Sequence, residues 1–321
     1  LDLEVNPDRA YALSLRGVAR DASIAFGVPF HDPADLDAAT VPSAGPGAYT
    51  VDVQDPTACP VFAAVTVTGV DPGAPTPAWL AQRIELAGMR SISLAVDVTN
   101  YVMLELGMPI HGYDRERLQG TLVVRRATEG EQLTTLDGVT RTLTSADAVV
   151  ADDRGPVGLG GVMGGEEVEM TPTTTDIVVE AAVWSAPMIA RTARTQRLTS
   201  EAAKRNERGV DPTLGARAVR RVADLLVEHG GGKLEDGLTP VTTTVRFVRP
   251  LRLGRQPVVV VSEVDGDDVE QQIVLDGDAG RVVFAHVTTR TGERSSVVPR
   301  DDVATSPLSL RRDDLGADGH V

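Results

Sequence analysis

The run Ile177-Val178-Val179-Glu180-Ala181-Ala182 is the feature that most constrains this chain. Its β-branched residues mark a strand, its apolar character puts that strand in the interior, and one carboxylate travels with it. A chain holding this segment must build a sheet into its core. It must also find a partner for the acid, because an ionised carboxylate is costly to bury alone. Glu180 therefore either bonds to nearby protein groups or waits for a ligand.

Periodicity supplies the elements around that strand. Ala10 to Phe26 is predicted as a helix, with Leu13, Val18, Ala22 and Ala25 at helical spacing and Gly27 placed for its C-terminus. Further helices are expected over Pro77–Gly88, Pro187–Arg197 and Leu214–His229, the last ended by Gly230-Gly231-Gly232. Strands are expected at Leu1–Val5, Tyr49–Val53, Val61–Val67 and Thr121–Arg125, over Gln132–Leu143 folded at Asp137-Gly138, and as the pair Ala148–Ala151 and Val157–Leu159. Asp32 to Gly47, rich in Pro, Ala, Gly and Asp, reads as a surface connection. Leu94 to Glu105 is an apolar run ended by Gly107 and Pro109, and its periodicity leaves strand and helix open.

At 321 residues the chain exceeds the roughly 250–300 over which a single core grows. Two domains are expected, residues 1–235 and 236–321. In the second, Val258–Val261, Ile273–Leu275 and Arg281–Phe284 read as a hairpin followed by a polar tail. The fold class is α+β: a mixed β-sheet with covering helices, plus a small β-rich C-terminal addition. Aromatic residues make up only 3% of the chain, so Val, Leu, Ala and Ile must fill the core, and Trp79, Trp184, Tyr101 and Tyr113 each merit locating. The chain opens without Met and already in strand-like alternation, which predicts a fragment of a longer protein.

A formal charge of −15, with 31 Lys+Arg against 46 Asp+Glu, argues against broad binding along a nucleic-acid backbone. DNA is not an expected partner, and any RNA contact should be local. No apolar run approaches the roughly 20 residues of a membrane span, and no secretory leader precedes the first strand-like segment, so a cytoplasmic protein with no membrane partner is expected. The single cysteine, Cys59, excludes an internal disulfide framework and a cysteine metal cluster; it reads as a small buried apolar residue.

Candidate chemistry gathers in two places. In Val96 to His111, Thr99 and Asn100 offer a hydroxyl and an amide that suit a polar ligand or a water, or equally a turn cap. His111, at the end of an apolar element, is either a structural donor or a pocket residue. Gly160-Gly161-Val162-Met163-Gly164-Gly165 lacks the Gly-Lys-Ser/Thr ending of a phosphate loop and the dinucleotide spacing. A tight turn with open backbone amides survives, with a structural or a ligand-facing use. The arginines from Arg191 to Arg208 read as a solvated helix face, with an RNA-facing role as the second reading. The sequence displays no nucleophile elbow, paired His ligands or acid/base carboxylate pair.

These motifs, in their order and spacing, resemble the beta subunit of bacterial phenylalanine–tRNA ligase. The likeness is carried by Asn6-Pro7-Asp8-Arg9, Val96-Asp97-Val98-Thr99-Asn100-Tyr101, Pro109-Ile110-His111 with Asp114, and Leu136-Asp137-Gly138. Gly161-Val162-Met163-Gly164-Gly165, Glu180-Ala181-Ala182, Thr199-Ser200-Glu201-Ala202 and Glu207-Arg208-Gly209-Val210-Asp211-Pro212 complete it.

The resemblance covers Leu1 to about Gly232 and implies the family's editing module, which hydrolyses tRNA mischarged with tyrosine. It implies that Thr99, Asn100 and His111 line the pocket and order the attacking water. Gly161 and Gly164 would present backbone to the aminoacyl group. Glu180 would accept a hydrogen bond from the para-hydroxyl of tyrosine, with Ala182 beside the ring.

The implied partners are a synthetase alpha subunit, in a heterotetramer, and the acceptor end of tRNA(Phe). No metal or cofactor is expected in this chain; ATP and magnesium belong to the complete synthetase, whose aminoacylation site lies on the alpha subunit. Two other readings accompany this one: a non-catalytic structural or RNA-binding module of the same subunit, and a free-standing editing protein. Past Arg249-Pro250 the likeness fades to a faint echo at Val298-Pro299-Arg300-Asp301.

Overall fold

A computed structural model describes residues 3–35, 45, 47–237 and 239–242, and beyond them the backbone of strands lying between 251 and 299. The chain divides into two compact units, Leu1–Val241 and Thr242–Val321. In the first, the helices are α1 (Leu15–Phe26), α2 (Ala78–Leu86), α3 (Leu94–Leu106), α4 (Ala186–Thr195), α5 (Glu201–Asn206) and α6 (Gly215–Gly230). The strands run β1 (Val51–Val53), β2 (Val61–Thr68), β3 (Ile110–Asp114), β4 (Leu122–Arg126), β5 (Gln132–Thr134), β6 (Thr140–Thr142), β7 (Ala148–Asp152), β8 (Gly155–Leu159), β9 (Met163–Gly164), β10 (Ile177–Val183), β11 (Lys233–Leu234) and β12 (Thr239–Thr242).

Two sheets hold this unit together. One has the order β11-β2-β10-β3, with β12 also on β2; the other has the order β1-β4-β7-β8-β9. Strand β10 is central, antiparallel to β2 on one side and β3 on the other, and the period of two sorts its residues between two cores. Ile177, Val179 and Ala181 face a core shared with α2, α3 and α6, where Leu80, Val98, Val102, Val222 and Leu225 are buried. Val178 and Ala182 face a second core shared with the other sheet, alongside Phe62, Leu122, Val149 and Leu159. Fully burying a Val or Ile stabilises by roughly 1.5–3 kcal/mol, so both faces of β10 are strongly fixed. Glu180, of the same parity as Val178 and Ala182, is thereby committed to the space between the sheets.

The open segment at Leu94–Glu105 is a helix. Asp97 in its first turn accepts hydrogen bonds from Ile92 N, Ser91 Oγ and Thr76 Oγ1, and Gly107 ends it at φ 84°. The helix expected over Ala10–Phe26 is interrupted. A 3-10 turn at Ala10–Ala12 precedes Ser14, whose side chain caps α1 by accepting from Gly17 N, and Gly27 closes the helix in the left-handed region as expected.

Two expectations are corrected. Leu3 to Val5 form no strand, and Leu3 is exposed; among the described residues no strand pairs with this segment. The Arg191–Arg208 run is not one helix face. It is broken between α4 and α5, where Arg197 takes a positive φ of 53°, and Arg205 is buried, held by Glu201 and the Leu13 carbonyl.

The second unit is an antiparallel meander of β13 (Leu251–Leu253), β14 (Gln256–Asp265), β15 (Asp268–Gly277), β16 (Gly280–Arg290) and β17 (Ser296–Pro299). The apolar runs read as a hairpin lie in β14, β15 and β16. Most of the Asp32–Gly47 connection and the polar tail lie outside the described residues.

Candidate functional site

The pairing of β3 with β10 sets His111 directly opposite Glu180 and Tyr113 opposite Val178. Directly opposed residues share a face, so imidazole, phenol and carboxylate meet between the two sheets. The Tyr113 hydroxyl donates to Glu180 Oε2, and this is the hydrogen bond that the carboxylate makes with protein. The rings of His111 and Tyr113 stand edge to face, their centroids 4.4 Å apart at 88°.

Burial tunes these groups in opposite directions. Enclosure pushes the Glu180 carboxyl up to about 7, the Tyr113 hydrogen bond pulling against it. The same loss of solvent holds the His111 imidazole down to about 4, because burial disfavours whichever form carries charge. Part of the His111 side chain remains accessible, but its Nε2 is enclosed and has no hydrogen-bond partner.

The glycine turn joins β8 to β9 and closes over these residues. Gly161 adopts φ 69°, and a Cβ there would lie 2.7 Å from Trp184 Cδ1; a Cβ on Gly164 would lie 2.2 Å from His111 Cε1. The turn is glycine-rich because an indole and an imidazole pack onto its backbone. Its amides are less open than the sequence predicts: Gly160 N donates to Ala148, Val162 N to Leu159 and Gly165 N to Val157.

Helix α5 grips the same turn from both of its ends. Ser200, its N-cap, donates to the Val162 carbonyl, and Asn206 Nδ2 donates to the Gly161 carbonyl at 2.9 Å.

A cavity of about 80 Å³ lies among these groups, lined by His111, Tyr113, Gly161, Gly164, Glu180, Ala182, Trp184 and Asn206. Five of the residues singled out from the sequence, His111, Gly161, Gly164, Glu180 and Ala182, are thus brought together. Thr99 and Asn100 are not in it. They line an adjoining cleft of about 1000 Å³, to which His111 and Gly164 also contribute. The Thr99 hydroxyl is already committed to the Val96 carbonyl one turn back.

Asn206 escaped the sequence reading. Its only signal is the spacing of four from Ala202, which puts both on one helix face. The part played by Tyr113 follows from its position two residues beyond His111, once that segment is known to be a strand. Cys59 is buried with its thiol pushed well above the usual range and donating to the Val61 carbonyl, an unreactive setting. Among the described residues, no group of three or more His, Cys, Asp or Glu is placed to hold a metal ion, and no helix is long and apolar enough to cross a membrane.

An acid, an imidazole and a tight turn enclosing a cavity between two sheets define the candidate site of an α+β domain. Residues 58–231, more than half of the chain, match the B3/4 domain, and the chain belongs to that family. It is 55% identical over 287 residues to the phenylalanine–tRNA ligase beta subunit of Streptomyces avermitilis, covering 85% of this chain and 34% of that one. It is 49% identical over 260 residues to the same subunit of Thermobifida fusca, covering 81% and 30%. The resemblance read from the motifs therefore holds, and the chain spans about a third of the length of these relatives. An N-terminal fragment of the phenylalanyl-tRNA synthetase beta subunit from Pyrococcus horikoshii covers 80% of this chain and 67% of its own at 12% identity, with a TM-score of 0.38. That likeness is too slight to bear on the fold.

Proposed function

We propose that this chain is the editing region of a phenylalanine–tRNA ligase beta subunit and hydrolyses tRNA(Phe) mischarged with tyrosine. The observation that carries this reading is Glu180, enclosed at the cavity with Tyr113 as its protein donor. A buried carboxylate of this kind rewards a ligand that brings a hydroxyl and penalises one that lacks it, because the acceptor is then left under-satisfied. That difference separates a tyrosyl from a phenylalanyl ester.

The cavity alone is smaller than the roughly 150 Å³ that admits benzene to a protein core. A phenol ring would therefore reach Glu180 with part of its length in the mouth shared with the cleft, and the ester and terminal ribose would lie in the cleft. In hydrolysis a water oxygen bonds to the ester carbonyl carbon, the bond to the ribose oxygen breaks, and that oxygen leaves with a proton.

His111, neutral at pH 7, suits holding the water by a hydrogen bond to Nε2 rather than storing its proton, since a base this weak retains little charge. On this reading Thr99 and Asn100, which line the cleft, position the ester and not the ring. The reaction as written draws on no cofactor in this chain; ATP and magnesium are assigned to the rest of the synthetase, an alpha subunit is the proposed partner and the cytoplasm the proposed location.

One observation favours a second reading, a structural module without activity: Glu180 already holds a phenol, that of Tyr113. Deacylation of Tyr-tRNA(Phe) by this chain and by Glu180→Ala separates the two. The editing reading expects the wild-type chain to deacylate and the variant to lose selectivity for tyrosyl over phenylalanyl esters. Equal rates and equal selectivity would sink the role given to Glu180, and no hydrolysis by the wild type would favour the structural module.

A further inference from the structure

Two residues that line the cavity each carry an enclosed polar atom without a hydrogen-bond partner: His111 Nε2 and Asn206 Oδ1. The first belongs to the reaction proposed above. The second has no part in it. Asn206 is 2% exposed, and its amide cannot turn over to use Oδ1 elsewhere, because only the NH2 group can donate to the Gly161 carbonyl. The orientation is therefore fixed by chemistry, and an acceptor is left in a wall where each unpaired polar atom is destabilising. The bond from Nδ2 to Gly161 also polarises the amide and strengthens Oδ1 as an acceptor.

We propose that Asn206 is a ligand-contacting residue whose Oδ1 accepts a hydrogen bond from the α-ammonium group of the aminoacyl ester. This rests on the editing reading, in which the phenol hydroxyl goes to Glu180. The remaining strong donor on the aminoacyl group is its ammonium, with three N–H bonds. A neutral amide oxygen suits that group as an acceptor. Ala202, one turn before Asn206 on α5, lines both the cavity and the cleft, so the ammonium is taken where the two meet, beside the ester, with the phenol deeper at Glu180 and the water at His111. Because the same side chain anchors Gly161, recognition of the amine is linked to the shape of the turn.

The test uses three small probes and needs no catalysis: tyramine, 4-ethylphenol, which lacks the amine, and phenethylamine, which lacks the hydroxyl. Binding to this chain and to its Asn206→Ala and Asn206→Asp variants is followed by NMR. Wild type is expected to bind tyramine more tightly than 4-ethylphenol. Asn206→Ala should lose about tenfold or more for both amines and leave 4-ethylphenol nearly unchanged, which also shows that the cavity survives. Asn206→Asp, which keeps an acceptor, should retain more amine binding than Asn206→Ala.

Equal wild-type affinities for tyramine and 4-ethylphenol overturn the assignment. So does an Asn206→Ala variant that weakens all three probes alike, which would make Asn206 an anchor of the turn only, or one that weakens the two phenols and spares phenethylamine. Binding of neither phenol to the wild type sinks the editing reading itself, an outcome distinct from the others.

Discussion

The imidazole of His111 rests against the Cα of Gly164 so closely that a methyl group there would fall 2.2 Å from Cε1 and 2.6 Å from Nε2. The glycine turn and the histidine are therefore one unit, and the position of either fixes the other.

That contact yields the first prediction. Gly164→Ala forces the ring to move in a packed wall, and overpacking of this kind costs about 1–3 kcal/mol. Thermal unfolding should show that loss, and Tyr-tRNA(Phe) deacylation should fall further than the stability change accounts for. A variant with wild-type melting and wild-type deacylation would refute the coupling.

Tyr113→Phe removes the hydroxyl that Glu180 accepts. Since that bond pulls the carboxyl down, its loss should carry Glu180 above about 7, and a hydrogen bond to a charged group is worth roughly 1.5–3 kcal/mol. Carbon NMR of the labelled carboxyl against pH reads the shift directly. An unchanged titration would show that Tyr113 does not set the acid's protonation.

Glu180 also links stability to pH. Its folded value, about 7, lies above the 4.5 of a free glutamate, so the folded state keeps the proton longer than the unfolded state does. Its contribution is therefore favourable at low pH and declines as pH rises from about 4.5 through 7, by about 3 kcal/mol in all. Glu180→Gln removes this slope. The variant should gain on the wild type in denaturant unfolding as pH climbs from 4.5 to 8, and a difference independent of pH would contradict the burial described.

His111 acts over nearly the same range with the opposite slope. Its folded value, about 4, lies below the ordinary 6.5, so the unfolded chain takes up the proton first as pH falls. The His111 contribution falls by about 3 kcal/mol between pH 6.5 and 4, where the Glu180 contribution grows by a similar amount, so in the wild type the two largely offset each other. His111→Gln should therefore gain on the wild type in the same unfolding series as pH falls from 6.5 to 4; a difference independent of pH would show that the buried imidazole does not couple stability to protonation.

Much of the frame is legible in the residues alone. β10, β2 and the β5–β6 hairpin follow from apolar runs and the Asp137-Gly138 turn, and α6 from its periodicity, because these signals are local and strong. Leu94–Leu106 stayed open because a helix buried on most sides loses its stripe; Leu94, Val98, Tyr101, Val102 and Leu106 are all enclosed. The arginine run misled because charge density is not exposure: Arg205 spends its guanidinium on Glu201 and a distant carbonyl.

The sequence by itself determined that one acid must go inside on a strand, and the motifs around it set the family. Only the tertiary structure decided what surrounds that acid. Strand register put His111 across from it and Tyr113 on it, while α5, some 25 residues further along, brought Asn206 to the glycine turn. Local pattern records which side chains avoid water. Which of them meet depends on how separate elements dock, and that is settled by the packing of the sheets and helices of the first unit together.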